Sequence, residues 1–121
     1  MEFLNYHEIK SSNFWVVPDG GSFMLGIETH SGQKFEILIT QAVDLEDYLE
    51  DMIPGRIYIN DRLIDLKSEE EASVLSILSH MLENDELGHK EGLAVIIVRQ
   101  ILHFFASGEA ERVHALLQKQ P

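Results

Sequence analysis

From Glu91 to Gly108 the chain reads EGLAVIIVRQILHFFASG, and between Leu93 and Ala106 the polar side chains are Arg99, Gln100 and His103 alone. A segment this apolar must be covered on most of its surface, by the rest of the chain or by a second copy. It falls far short of the ~20 residues that a membrane span requires, and Arg99 interrupts its longest aliphatic run. Four consecutive β-branched residues, Val95 to Val98, favour a strand. Apolar residues recur well past eight positions, however, which favours a helix. On a helix Arg99, Gln100 and His103 share one narrow sector and every other direction is apolar. That describes either a central buried helix or one half-buried in a homodimer, and the sequence leaves both open.

The remaining elements follow from period and punctuation. FWVV (residues 14–17), SFMLGIET (22–29) and KFEILIT (34–40) read as strands. They are separated by PDGG and HSGQ, turns in which Pro presets φ and Gly permits φ > 0. A three-stranded antiparallel meander results, with NYHEI as a further edge. In the third strand Phe35, Ile37 and Ile39 alternate with Lys34, Glu36 and Leu38, so only Leu38 breaks the half-buried pattern. Residues 41–53 switch to helical period and stop at Pro54-Gly55. RIYIN and RLIDL, on either side of Asn60-Asp61, form a short second hairpin. Ser68 with Glu71 makes a capping box that opens a helix with an apolar stripe of Ala72, Val74, Leu75, Ile77, Leu78, Met81 and Leu82, ending near Asn84-Asp85. Gly108 ends the apolar helix, and residues 111–117 form a short last one. The expected class is α+β: an N-terminal antiparallel sheet, a meander plus a hairpin, packed against C-terminal helices in a single domain over residues 1–121.

Composition narrows the function. The 121 residues are 45% hydrophobic and 25% charged, the balance of a folded globular chain. With no cysteine, disulfides, thiolate metal sites and cysteine nucleophiles are excluded. MEFLNYHEIK has neither the basic nor the apolar region of a signal peptide, so a cytoplasmic location is expected. Twenty-one acids oppose nine bases, for a formal charge of −12. Such a field repels phosphate backbones and anionic lipids and attracts cationic proteins, so the expected partner is a cationic protein, not nucleic acid or membrane.

The catalytic patterns fail one by one. A calcium loop starting at Asp44 would need glycine at its sixth position, which is Leu49, and its alternation breaks at Tyr48. In HMLENDELGH, His80 and Glu83 sit one turn apart with His89 further on. Asn84 after Glu83 breaks the inverted zinc motif, leaving a small metal-dependent hydrolase on His80, Glu83 and His89 as an alternative reading. Ser22 in GGSFM is not a nucleophile elbow, and neither glycine-rich phosphate fingerprint occurs. No cofactor is implied and no enzyme is expected. Arg99 and His103, at i and i+4, are the most unusual polar pair and are read as reaching solvent or a partner through a polar gap.

The stretch DLEDYLEDM, residues 44–52, carries five carboxylates and no base. On a helix Leu45, Tyr48, Leu49, Met52 and Ile53 gather on one side and Asp44, Glu46, Asp47, Glu50 and Asp51 on the other. Like-charged neighbours at helical contact spacing together cost on the order of 1–2 kcal/mol. The helix dipole offsets Asp44, Glu46 and Asp47 but not Glu50 and Asp51, which fall near the carbonyl end. The expected binding surface is therefore Asp44, Glu46, Asp47, Glu50 and Asp51, with Tyr48 as aromatic anchor. In overall profile the chain is similar to bacterial immunity proteins: small, acidic, cysteine-free α+β domains that occupy the basic groove of a toxin, often a nuclease. It is also similar to acidic dimeric secretion chaperones, the alternative binding reading, although those open with a helix and this chain opens with strand-like sequence.

Overall fold

The computed structural model describes residues 4–17, 22–40, 56–88 and 92–118. The protein is α+β, with an N-terminal antiparallel sheet and C-terminal helices. The strands β1 (Ile9–Val17), β2 (Ser22–Thr29), β3 (Lys34–Ile39), β4 (Ile57–Ile59) and β5 (Arg62–Leu63) lie in the sheet in sequence order, each antiparallel to the next. The helices are α1 (Glu69–Glu83), α2 (Leu93–Ala106) and α3 (Glu109–Gln118). The expected helix over residues 41–53 and the turn at 18–21 lie outside the described residues.

Register explains the core. Val16, Phe23, Ile39 and Ile57 stand side by side across four strands, as do Phe14, Leu25, Ile37 and Ile59. These rows share the face that packs on the helices. Val74, Ile77, Leu78 and Met81 of α1 close on it at i, i+3, i+4, i+7 spacing, joined by Val95, Val98 and Ile101 of α2. Ala72, placed in the α1 stripe by sequence, is exposed, and Ser73 is buried instead. The ambiguous apolar segment is the helix α2, lying over β1 and β2, and it is not buried all round. Leu93 and Ile96 are 52% and 44% exposed, in the same outward sector as Arg99 and His103.

The caps are largely those the sequence implies. Ser68 accepts from the Glu71 N–H, but the Glu71 carboxylate reaches back to the N–H of Lys67, at 2.9 Å, and not to that of Ser68. Lys67 sits at φ 60°, which turns its N–H toward the helix mouth. Gly108, at φ 82°, follows α2 in the left-handed conformation that glycine adopts without strain. The last helix opens at Glu109, two residues before the sequence reading. Two readings at the N-terminus need correction. Tyr6–Glu8 is a 3-10 turn capped by Asn5, not an edge strand, and β1 begins at Ile9, well before Phe14. The signal was lost because Lys10, Ser11, Ser12 and Asn13 are all polar and hide the period.

Burial pushes the Glu71 carboxyl above its usual range, opposed by the Lys67 N–H and assisted by the nearby Glu111 charge. A raised folded-state pKa means that the folded chain holds this proton more tightly than the unfolded chain. Its stabilising contribution is present below the unfolded pKa and is lost as pH rises through the folded one. Glu71→Gln keeps an acceptor for Lys67 and never ionises. Urea unfolding should therefore find it as stable as the parent or more so at neutral pH, with the difference shrinking toward about pH 4.

Candidate functional site

All six residues of the expected acidic surface, Asp44, Glu46, Asp47, Tyr48, Glu50 and Asp51, lie outside the described residues, as does His89. Within them, two other surfaces stand out.

The first is a corner where the 3-10 turn meets the end of α1. The Tyr6 hydroxyl donates to Glu86 Oε2 at 2.6 Å and accepts from Asn84 Nδ2 at 3.2 Å. Its ring stacks on His80, with centroids 5.0 Å apart and planes at 17°. His80 Nδ1 lies 2.8 Å from the Ser76 carbonyl oxygen, which can only accept, so Nδ1 is the donor in this bond. The bond to the Glu86 carboxylate, aided by desolvation, holds the Tyr6 phenol above its ordinary pKa. Tyr6 and His7 edge two depressions of about 530 and 350 Å³, the larger floored by Leu4 and Ser73 and the smaller bordered by Met81 and Glu86.

Around the corner Glu8, Glu83, Asp85 and Glu86 are exposed. Glu83, Asp85 and Glu86 sit at the carbonyl end of α1, where the dipole opposes negative charge. It is the departure from helix electrostatics that the sequence reading expects at Glu50 and Asp51, which lie outside the described residues. His80 is half-buried and Glu83 exposed, and among the described residues no group of three or more His, Asp or Glu converges as a metal site. Sequence reasoning missed Tyr6, because nothing in NYHE announces that the chain folds back onto a helix end more than seventy residues later.

The second surface is the sheet face turned away from the helices. Trp15, Met24, Leu38, Tyr58 and Leu63 are successive partners in register, one from each strand. They form an apolar row across the whole sheet, with Trp15 and Leu63 at its ends 42% and 45% exposed. Leu38, the residue that broke the alternation of its strand, belongs to this row. Beside the row lies a depression of about 420 Å³ over Gly26. A Cβ built on Gly26 would lie 2.4 Å from Asn13 Oδ1, so the absence of a side chain lets Asn13 lie across β2.

Charge is distributed to leave carboxylates in excess. Lys10 pairs with Glu28, Arg62 with Glu70, Lys67 with Glu111 and Arg112 with Glu109. These bases are spent within the molecule, while the acids of the corner have no basic residue in an ion pair with them among the described residues. Arg99 and His103 are exposed on α2, on the opposite side of that helix from the core. Among the described residues, no helix is long and apolar enough to cross a membrane. Comparison with protein-family models, with curated proteins and with solved structures returns no match.

Proposed function

We propose that this is a non-enzymatic acidic binding protein whose partner is a cationic protein, and that it acts as an immunity protein neutralising a basic toxin such as a nuclease. The observation that carries the reading is carboxylate placed against the grain of helix electrostatics, at Glu83, Asp85 and Glu86, in a chain of net charge −12. Helix stability does not ask for acids there, whereas recognition of a cationic surface does. A nuclease groove built for phosphates accepts carboxylates in their place, and opposite fields accelerate the encounter. Tyr6 and His80 add aromatic faces on which a guanidinium can stack beside the acids.

The protein, immobilised and exposed to a lysate of its own host, should retain a protein of basic pI that salt releases. If that protein is a nuclease, adding the chain should inhibit it stoichiometrically. Glu83→Lys, and separately Asp47→Lys with Asp51→Lys, should each weaken retention by about tenfold or more. Glu83→Lys should leave thermal stability unchanged or raised, because a cation suits that helix end. Retention of no basic protein, or affinity indifferent to both charge reversals, sinks the reading.

A further inference from the structure

We infer that the depression beside Trp15, on the sheet face turned away from the helices, is a binding site for a neutral sugar ring that stacks on the indole and shares hydrogen bonds with Asn13 and Glu36. The inference stands apart from the cationic-partner reading and uses none of the acids at the Tyr6 corner.

Register builds the site. Asn13 of β1 and Glu36 of β3 are both direct partners of Gly26, one on each side of β2. Their backbones are therefore about 10 Å apart, and the strand between them contributes no side chain. Asn13 leans into that gap, where a Cβ on Gly26 would collide with its Oδ1. Glycine alone leaves the room, so the carboxamide forms the floor of the depression. Trp15, two residues further along β1 and 42% exposed, makes one wall, and Lys34 of β3 stands diagonally across from it. The depression holds about 420 Å³, within the roughly 300–1,000 Å³ of small-molecule sites.

The polar groups around it are uncommitted. Among the described residues the Asn13 side chain makes no hydrogen bond, and Glu36 and Lys34 make no ion pair. Glu28, which also borders the depression, is neutralised by Lys10. Lys10 and Lys34 thus balance Glu28 and Glu36, in a chain whose net charge is −12. The field that draws a cationic protein to the corner is absent here.

These groups select a ligand by its chemistry. A cation meets Lys34 and an anion meets Glu36, so a single charge of either sign gains little from the site. A wholly apolar ligand would strip water from Asn13 and Glu36 and leave both unsatisfied. What fits is a neutral ring with an apolar face and a rim of groups that both donate and accept. A pyranose is such a ring. Its C–H face covers an indole, while neighbouring hydroxyls donate to carboxylate oxygens and accept from a carboxamide N–H or an ammonium.

Trp15 is the one tryptophan of the chain, so its fluorescence reports on this site. Titration of the full chain with the methyl glycosides of glucose, galactose, mannose and N-acetylglucosamine should give a saturable change with at least one, at a Kd of about 1–10 mM. Disaccharides of the responding sugar that bind more tightly support a glycan chain as the source, and equal affinity supports the free sugar. Added sodium chloride should leave this affinity unchanged, whereas it should weaken binding to a cationic protein, so the two readings can fail separately. Asn13→Ala and Glu36→Ala should each weaken sugar binding by about tenfold or more. No saturable response to any of the glycosides at about 100 mM overturns the proposal. So does saturation by arginine or phenylalanine and by no sugar. A sugar response that neither variant weakens overturns it as well, because the ligand then sits elsewhere. If Asn13→Ala fails to fold, Glu36→Ala decides the matter, since the bonds of Glu36 to Asn60 use only its backbone.

Discussion

Phe23→Ala is expected to remove about 3–5 kcal/mol of stability, the range for deleting a fully buried aromatic ring. Phe23 is completely inaccessible to solvent and lies on the helix-facing side of β2, between Val16 of β1 and Ile39 of β3. Its ring stacks on Phe14 at 6.0 Å, so truncation also leaves that ring without its partner. Strand backbones on both sides are hydrogen-bonded and cannot collapse into the space, which places the cost in the upper part of the range. Domains of this size are stable by roughly 5–15 kcal/mol, so the variant should survive with little margin and melt about 10–25 °C lower. Urea unfolding checks this, with the midpoint moving and the slope unchanged. Trp15→Ala is the control from the opposite face. It removes a larger side chain but one already 42% exposed, and should cost well under half as much. Equal losses at the two positions would mean that the helices do not define the buried side of the sheet.

The same two faces show why the sequence was informative in some places and silent in others. Phe35, Ile37 and Ile39 announced a half-buried strand, and Val74, Ile77, Leu78 and Met81 a packed helix, because one side of each element meets the core. The helical identity of α2 could be argued from length against β-branching, but not its exposed flank. Arg99, Gln100 and His103 mark the polar sector, yet Leu93 and Ile96 lie in it too. The apolar row across the open face is invisible one strand at a time. Trp15, Met24, Leu38, Tyr58 and Leu63 become a single feature only when the strands are set in register. A search for apolar residues off phase with the buried side of each strand would have raised it. The corner at Tyr6 depends on a tertiary approach between sequence-distant segments, and no local pattern encodes that. Charge excess, by contrast, was legible from composition, and Glu83, Asp85 and Glu86 place part of it at the carbonyl end of α1.

Asn60→Val should lower stability and Asp61→Gly should not, although the residues are neighbours in one turn. Asn60 and Asp61 both have positive φ, 50° and 67°, the conformation of a two-residue hairpin whose twist matches the flanking strands. Asn tolerates this region and here does more. Its N–H donates to the Glu36 carbonyl at 2.8 Å, and its side-chain Oδ1 accepts from the Glu36 N–H at 2.9 Å. The turn thus fastens the end of β4 to β3 as well as reversing the chain. Valine at this position loses the side-chain acceptor and brings β-branching to a backbone that disfavours it. Together these should cost about 2–4 kcal/mol. Glycine at Asp61 gives up no hydrogen bond to β3 and relieves the positive φ, so its melting temperature should equal or exceed that of the parent. Because Tyr58 and Leu63 flank the turn on the open face, Asn60→Val should also loosen that end of the apolar row, seen as faster amide exchange in β4 and β5 with β1 and β2 unaffected. Uniform exchange throughout the sheet would show instead that the hairpin opens only with the whole domain.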